Sequence, residues 1–318
     1  MFSTLDMFQT VLVVLVSVLV ANYLYVRFSL RAAREIELEG VEGFANPEGP
    51  EGDSVVLGNE HLYDEFYAKV YDKLTGGPTH RIPAEVAMTL AWAKSYRPEV
   101  ETLQVLDVGS ATGHAVAEFR KAGCGKVVGL DSSTAMVEAA RRKFPKADFR
   151  VGDVEQTGTF SASEFNLVTL YYFTYYELRD VDTMFKNVFQ WLQPGGCLVI
   201  HLVNREKFDP ILEPASPFAG FSLQKYNKER VRRSRVTFDK FDYEAEFLLE
   251  GERAEFHEDF RFRGAGGGAK KRKQVHTMRM PRMEAVVGRA EANGFTYKQY
   301  IDMTSIGYEY QYLFCFVR

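Results

Sequence analysis

Hydrophobic spacing changes character several times along the chain. Between residues 102 and 203, short apolar runs alternate with segments of helical period. Residues 102–108, 126–130, 149–151, 165–171 and 197–203 read as strands, the fourth of the continuous, fully buried kind. Residues 115–122, 134–144 and 181–192 read as helices. Ser132 or Ser133 is placed to cap the second, and Pro194-Gly195-Gly196 is placed to close the third. Two further helices, over 60–74 and 84–95, come before this series. Strands that alternate with helices predict a parallel, doubly wound α/β sheet.

The alternation breaks after residue 203. A Pro-rich stretch, FDPILEPASPFAGF, is followed by β-type runs over 235–249, 254–263 and 274–280, with a Gly-rich loop at 264–269. These predict an inserted antiparallel β subdomain over 204–276 on the substrate side. Residues 282–292 are helical up to Asn293-Gly294, and 295–302 and 310–317 are strands that complete a seven-stranded, mostly parallel sheet. No internal repeat is present.

The amino-terminal pattern is of a third kind. From Met7 to Val26 no residue is charged, and VLVVLVSVLVANYLYV is almost wholly apolar. About 20 residues at ~1.5 Å rise cross a ~30 Å hydrocarbon core. The expectation is a transmembrane anchor over 7–27. Asp6 precedes it and Arg27, Arg31 and Arg34 follow, which orients the remainder, a large domain over 59–318, toward the cytosol as a single-pass membrane protein. A cleaved signal peptide fits less well, because a basic leading region and a small-residue cleavage site are missing. Residues 28–58 hold GVEGFANPEGPEGDS and are expected to be a flexible linker.

Composition adds modest limits. The chain of 318 residues is 46% hydrophobic and 26% charged, with a net charge of −4, and 14% of it is aromatic. That charge gives no support to nucleic-acid binding. Cys124, Cys197 and Cys315 lie far apart with no metal-type spacing, which points to reduced thiols and to no metal site.

The chemistry concentrates at strand ends. In VLDVGSATGHAVAEF a strand ends in Asp107, and a turn with Gly109, Ser110 and Gly113 leads into a helix. Such a turn lets backbone approach a ligand closely, and the helix start favours a carboxylate. The spacing is not that of the dinucleotide fingerprint G-x-G-x-x-G. The next strand, VVGLD, ends in Asp131, followed by Ser132, where an acid accepts hydrogen bonds from a ribose diol. FRVGDV then supplies Asp153 and Val154, an acid suited to an adenine amino group. Each acid alone reads as a cap or a surface carboxylate. Together, on the carboxyl edge of an open α/β sheet, they read as a ligand site.

The ordered set VLDVGSATG, VVGLD, FRVGDV, FNLVTLYYF and LQPGGCLVIHLV resembles class I S-adenosylmethionine (SAM)-dependent methyltransferases of the small-molecule branch. The resemblance covers about residues 60–203 and the last strand pair. It implies a methyltransferase with SAM as cofactor. Asp107, Gly109 and Gly113 would hold the methionine portion, Asp131 the ribose, and Asp153 with Val154 the adenine. Tyr67 or Tyr71 would close over the cofactor. Family members often carry Gly at the position of Ala111.

Methyl transfer needs an aligned nucleophile and, where required, a base. YYFTYYEL places Tyr171, Tyr172, Tyr175 and Tyr176 at the end of the fourth strand, where rings can hold a cationic or amine substrate. About half of them are expected in the core. His201 is the leading candidate base, and Tyr172 and Tyr175 accompany it as candidate catalytic residues. His257 and His276 on the inserted sheet are weaker, and Gln224 and Tyr226 are candidate substrate contacts. Lys270 to Lys273 read as a solvated hairpin tip. The resulting expectation is methylation of a small-molecule or lipid-linked acceptor at a membrane surface. The alternatives are a protein or peptide methyltransferase, or an inactive scaffold.

Overall fold

The structure, a computed structural model, describes residues 12–13, 16–18, 20, 56–76, 80–96, 102–211, 230–263 and 270–318. The anchor expected over 7–27 lies almost wholly outside the described residues, as do nearly all of the linker and both Gln224 and Tyr226. Among the described residues no helix is long and apolar enough to cross a membrane.

Seven strands form the main sheet: β2 (Gln104–Val108), β3 (Lys126–Asp131), β4 (Asp148–Val151), β5 (Phe165–Leu170), β6 (Leu192–Val203), β11 (Thr296–Asp302) and β12 (Gln311–Val317). Their spatial order is β11-β12-β6-β5-β2-β3-β4. The run from β4 to β6 is parallel, and β12 inserts antiparallel between β6 and β11. β5 is buried at every position, as a central strand covered on both faces must be. The expected α/β sheet is thus observed. β6 begins earlier than expected: Pro194, Gly195 and Gly196 belong to the strand, and the Gly196 carbonyl accepts from the Arg318 N–H at 2.9 Å.

The helices are α1 (Glu65–Thr75), α2 (Arg81–Ala93), α3 (His114–Lys121), α4 (Thr134–Lys143), α5 (Thr174–Glu177), α6 (Val181–Trp191) and α7 (Met283–Ala292). Ser133, rather than Ser132, caps α4, its hydroxyl accepting from the Met136 N–H at 3.1 Å. One apolar cluster joins α6 and α7 to the sheet through Phe185, Val188, Trp191 and Val286. Another joins α2 and α3 to the sheet through Leu90, Val116 and Phe119.

The inserted segment is a second sheet, ordered β1-β10-β9-β8-β7: β1 (Val56–Leu57), β7 (Arg233–Thr237), β8 (Phe241–Glu250), β9 (Arg253–Phe262) and β10 (Lys271–Arg279). Two differences from expectation stand out. β7 and β8 are separate strands with a turn at 238–240, which holds no Gly, Pro or Asn to announce it. The end of the expected linker is not free, since Val56 and Leu57 pair parallel with Lys273 and Gln274. Asn59 continues that edge, its side chain exchanging hydrogen bonds of 2.7 and 2.8 Å with the Thr277 backbone.

The inner face of this second sheet packs on α1. Phe66 meets Phe241, Phe260 and Phe262 edge-on, and the opposite side of α1 meets Met136 and Ala139 of α4. The second sheet therefore roofs the carboxyl edge of the first, with α1 between them.

Candidate active site

A cradle forms where the glycine-rich turn leaves β2. Gly109 (φ +70°) and Gly113 (φ +87°) are left-handed, a region open to glycine at little cost. A Cβ on Gly109 would lie 2.4 Å from Thr174 Oγ1, and one on Gly113 would lie 2.5 Å from the Phe149 ring. Ala111 is also left-handed, at φ +45°, without that freedom. Asp131 holds it there: its carboxylate accepts the Ala111 N–H at 2.8 Å and the Ser133 N–H at 2.9 Å. One side chain thus ties the turn to the start of α4.

Asp107 is 2% exposed and accepts from Thr169 Oγ1 at 2.8 Å. Burial drives its carboxyl up to about 7, and the Glu85 and Asp131 charges add to the rise against the Thr169 hydroxyl. Burial likewise lifts Asp131 to about 6, although its two backbone donors oppose this. Asp153 is half-buried and accepts the Glu155 N–H at 2.8 Å. Val154 is buried, and its carbonyl is fixed by Asn187 at 2.8 Å. Ser132 is exposed, and the Ser110 hydroxyl is buried against Gly129 with no hydrogen-bond partner among the described residues.

The helix α1 is bolted to the cradle by Asp72. It accepts from Thr112 Oγ1 at 2.5 Å, lies 2.9 Å from His114 Nε2 and pairs with Lys143. Burial opposes its charge, but His114 and Lys143 outweigh burial and bring it to about 2. Burial first, and then the charges of Tyr172, Glu177 and Asp72 against that of Arg81, raise the hydroxyl of the neighbouring Tyr71, whose ring lies 6.0 Å from that of Tyr67. Tyr67 is engaged elsewhere. Its hydroxyl is 3.1 Å from Glu258 and 3.2 Å from His276 Nε2, in the roof.

The candidate catalytic residues separate. Tyr172 sits at the edge with φ +53°, its ring under the Arg81 guanidinium at 4.1 Å. Tyr175 faces the core against Phe185, and Tyr176 spends its hydroxyl on the Val203 N–H at 2.8 Å. Tyr171 is also buried, bonded to Thr89. His201 is fully buried, with Nδ1 3.7 Å from Glu85. Burial, and then the Arg81 charge, hold its imidazole down near 3, which makes it a poor proton acceptor at neutral pH.

The roof supplies what the sequence reading passed over. Glu177, at the end of α5, accepts from the Tyr63 hydroxyl at 2.7 and 2.8 Å and lies 3.4 Å from His276 Nδ1. It stands on α5, seven residues beyond Leu170 at the carboxyl end of β5, with its side chain 21% exposed. Behind it, Glu258 takes hydrogen bonds from Tyr67, Tyr243 and Gln274 and lies 2.7 Å from His276 Nε2. Arg272 is not a solvated tip residue: it is 1% exposed and bonds Gln274 at 2.8 Å and Asp64 at 2.7 Å. A signal existed in the sequence. Glu258, Arg272, Gln274 and His276 occupy the strand phase that otherwise carries Ala254, Phe260 and Met278. His257, in the opposite phase, pairs with Glu255 on the outer face. The three cysteines are buried thiols that form no disulfide.

Residues 105–196 match the family model of a methyltransferase domain. A dTDP-4-amino-2,3,4,6-tetradeoxy-D-glucose N,N-dimethyltransferase of Saccharopolyspora spinosa is 32% identical over 44% of this chain and 55% of its own length. A demethylmenaquinone methyltransferase of Chlorobaculum parvum is 33% identical over 34% of this chain and 45% of its own. The chain thus spans about half the length of the curated relatives it matches. Among solved structures, Streptomyces venezuelae DesVI superposes with a TM-score of 0.58 at 22% identity, over 79% of this chain and 98% of its own. SAM-bound CalS10, an amino pentose methyltransferase of Micromonospora echinaspora, gives 0.57 at 22% identity, over 78% and 96%. The fold is the Rossmann-like methyltransferase fold. SAM is the cofactor of this domain. The donor set suits it: SAM offers an ammonium group, a ribose diol and an adenine amino group, all donors, and Asp107, Asp131 and Asp153 are acceptors at successive strand ends.

Proposed function

We propose that this protein is a SAM-dependent methyltransferase that methylates the nitrogen of a small-molecule amine. The observation that carries the reading is Glu177, a carboxylate 21% exposed at its side chain, bonded to Tyr63 and set on α5 just past the carboxyl end of β5. A carboxylate among tyrosine rings suits an ammonium group, through charge and cation–π attraction together. The N,N-dimethyltransferase relative is named for an amino sugar, which agrees with this class.

Bound SAM supplies an electrophilic methyl group on a sulfonium sulfur. The protein's part is to bind and orient. Asp131, Asp107 and Asp153 would hold the cofactor at the strand ends, and Tyr71 would close over it. Glu177 receives the amine as ammonium and takes its proton. With SAM bound, the freed nitrogen lone pair would take the methyl group and the cofactor's sulfur would leave as a neutral thioether. Glu177, partly exposed, passes the proton on to water.

The apolar run over 7–26, with its trailing arginines, supports a tether that holds this domain on the cytosolic face of a membrane. On that reading lipid-linked amines are the first acceptors to try. The roof over the site favours a small acceptor above a protein chain. Calorimetry with SAM on the chain from residue 54 onward, which keeps β1, tests the cofactor half. Expected is micromolar binding that Asp131→Ala abolishes. Methylation of amines but not of alcohols or peptides tests the other half. A folded protein that binds no SAM would sink the reading.

A further inference from the structure

His276 stands between two carboxylates. Its Nε2 is 2.7 Å from Glu258 Oε2 and its Nδ1 is 3.4 Å from Glu177 Oε1. A neutral imidazole has one N–H and can donate to one of them, whereas the imidazolium donates to both. The ring is 6% exposed, so an unpaired nitrogen facing a carboxylate there would be costly. Glu258, 3% exposed, is fixed in turn by Tyr67, Tyr243 and Gln274, and Arg272 fixes Gln274. Charge therefore alternates from Arg272 through Glu258 and His276 to Glu177. Arg272, Glu258 and His276 belong to the roof, whereas the last member stands on α5, just past the carboxyl end of β5.

We propose that His276, kept doubly protonated by Glu258, is the positioning residue that pins the Glu177 carboxylate at the acceptor site. The assignment rests on the amine reading above for what Glu177 does, but not for how it is held. Every group that faces the ring fits the assignment. Glu177 comes from α5 and Glu258 from β9. Tyr63 and Tyr67 stand at 3.5 and 3.2 Å on the α1 side, and the Phe256 ring packs edge-on with centroids 6.0 Å apart. The roof thus sets the geometry of a carboxylate that belongs to the main sheet. A change in the inserted sheet would alter acceptor use and spare the cofactor.

The full-length chain, labelled with 15N-histidine and 13C-glutamate carboxyls, gives the test. In the wild type, both His276 nitrogens are expected to carry protons up to pH 9, and a neutral ring at pH 8 would overturn the proposal. In His276→Gln the Glu177 carboxyl resonance should move, the Kd for SAM should stay within threefold, and the KM for any amine substrate should rise tenfold or more. An unmoved Glu177 resonance, or a loss of SAM affinity that matches the loss of amine use, would also overturn it. If His276→Gln does not fold, Glu258→Gln gives the same resonance test, and the wild-type titration needs no variant. Failure of SAM binding in the wild type would remove the proposed function and leave the histidine result standing.

Discussion

The cradle and the roof both bury carboxylates, yet they treat them in opposite ways. Asp107, 2% exposed, has one side-chain donor and the charges of Glu85 and Asp131 nearby, and its affinity for a proton is raised. Glu258, 3% exposed, has three neutral donors and the His276 cation, and these hold it below the usual carboxylate range despite its burial. Equal burial gives opposite shifts in proton affinity because solvation is replaced in one place and withheld in the other. The roof completes its own electrostatics. The cradle leaves a deficit that a ligand carrying cationic and donor groups would fill, and that contrast separates a scaffold from a binding site.

The strongest way to break the contrast is to open the roof's closed network. Glu258→Ala leaves His276 facing Glu177 alone and frees Tyr67, Tyr243 and Gln274 at once. Removing one member of a buried ion pair costs about 3–5 kcal/mol. Urea unfolding of the variant should show a loss of that size. A loss below about 1 kcal/mol would mean that water reaches the pair and that the roof is no more self-contained than the cradle.

On the cradle side the sharpest change is Gly113→Ala. The left-handed backbone costs about 1–2 kcal/mol, and a methyl 2.5 Å from the Phe149 ring adds about 1–3 kcal/mol of overpacking. A destabilisation of about 3 kcal/mol is expected, together with a fall in SAM affinity that Glu258→Gln does not share. An equal fall in both variants would show that the two regions form one cooperative site.

The two regions also differed in how far the sequence exposed them. Asp107, Gly109, Gly113, Asp131 and Asp153 were legible because local chemistry places them: strand ends, turn glycines and a helix start lie within a few residues of each other. The parallel sheet was legible for the same reason, through runs such as FNLVTL. The roof network joins Tyr63, Glu177, Glu258 and His276 from four separate segments, so only a three-dimensional register brings them together. His201 misled because its strand-end position looks like that of a base, whereas burial, and then the Arg81 charge from a distant helix, keep it neutral. The turn at 238–240 was missed because nothing in Phe238-Asp239-Lys240 forces a reversal, and the pairing of Val236 with Tyr243 makes it.

A pH series sharpens the contrast without a mutation. Asp107 is raised from the usual carboxylate value to about 7, so the stability it contributes is complete below about pH 4 and is lost as pH climbs through about 7. A cationic ligand binds the ionised form. SAM affinity should therefore rise on the order of tenfold between about pH 5.5 and 7.5, the equivalent of about one pKa unit. Calorimetry near pH 6.5 in two buffers of different ionisation enthalpy should show proton release on binding. His276 in the folded roof is raised to about 10, Glu258's charge outweighing burial, so it stays protonated across this window and contributes no protons. An affinity that does not change with pH would mean that Asp107 is already ionised and that the cradle, like the roof, is internally satisfied.

The smallest expected effect concerns Ala111, where the cradle carries backbone strain that no non-glycine residue shows among the described residues of the roof. Its φ of +45° costs an L-residue about 1–2 kcal/mol, held in place by the hydrogen bond from its N–H to Asp131. Glycine at this position removes that strain but adds about 0.5–1 kcal/mol of chain entropy to the unfolded state. Ala111→Gly should then stabilise the fold by about 0.5 kcal/mol, a rise in Tm of about 1–2 °C for a domain of this size. Because the gain comes from the backbone, it should survive in Asp107→Asn, where the carboxylate's charge is gone. In Asp131→Ala it should shrink, since the turn is then free to relax out of the left-handed region. An Ala111→Gly variant less stable than the wild type, with the Asp131 bond intact, would show that the turn is unstrained, and the cradle's readiness for a ligand would rest on its carboxylates alone.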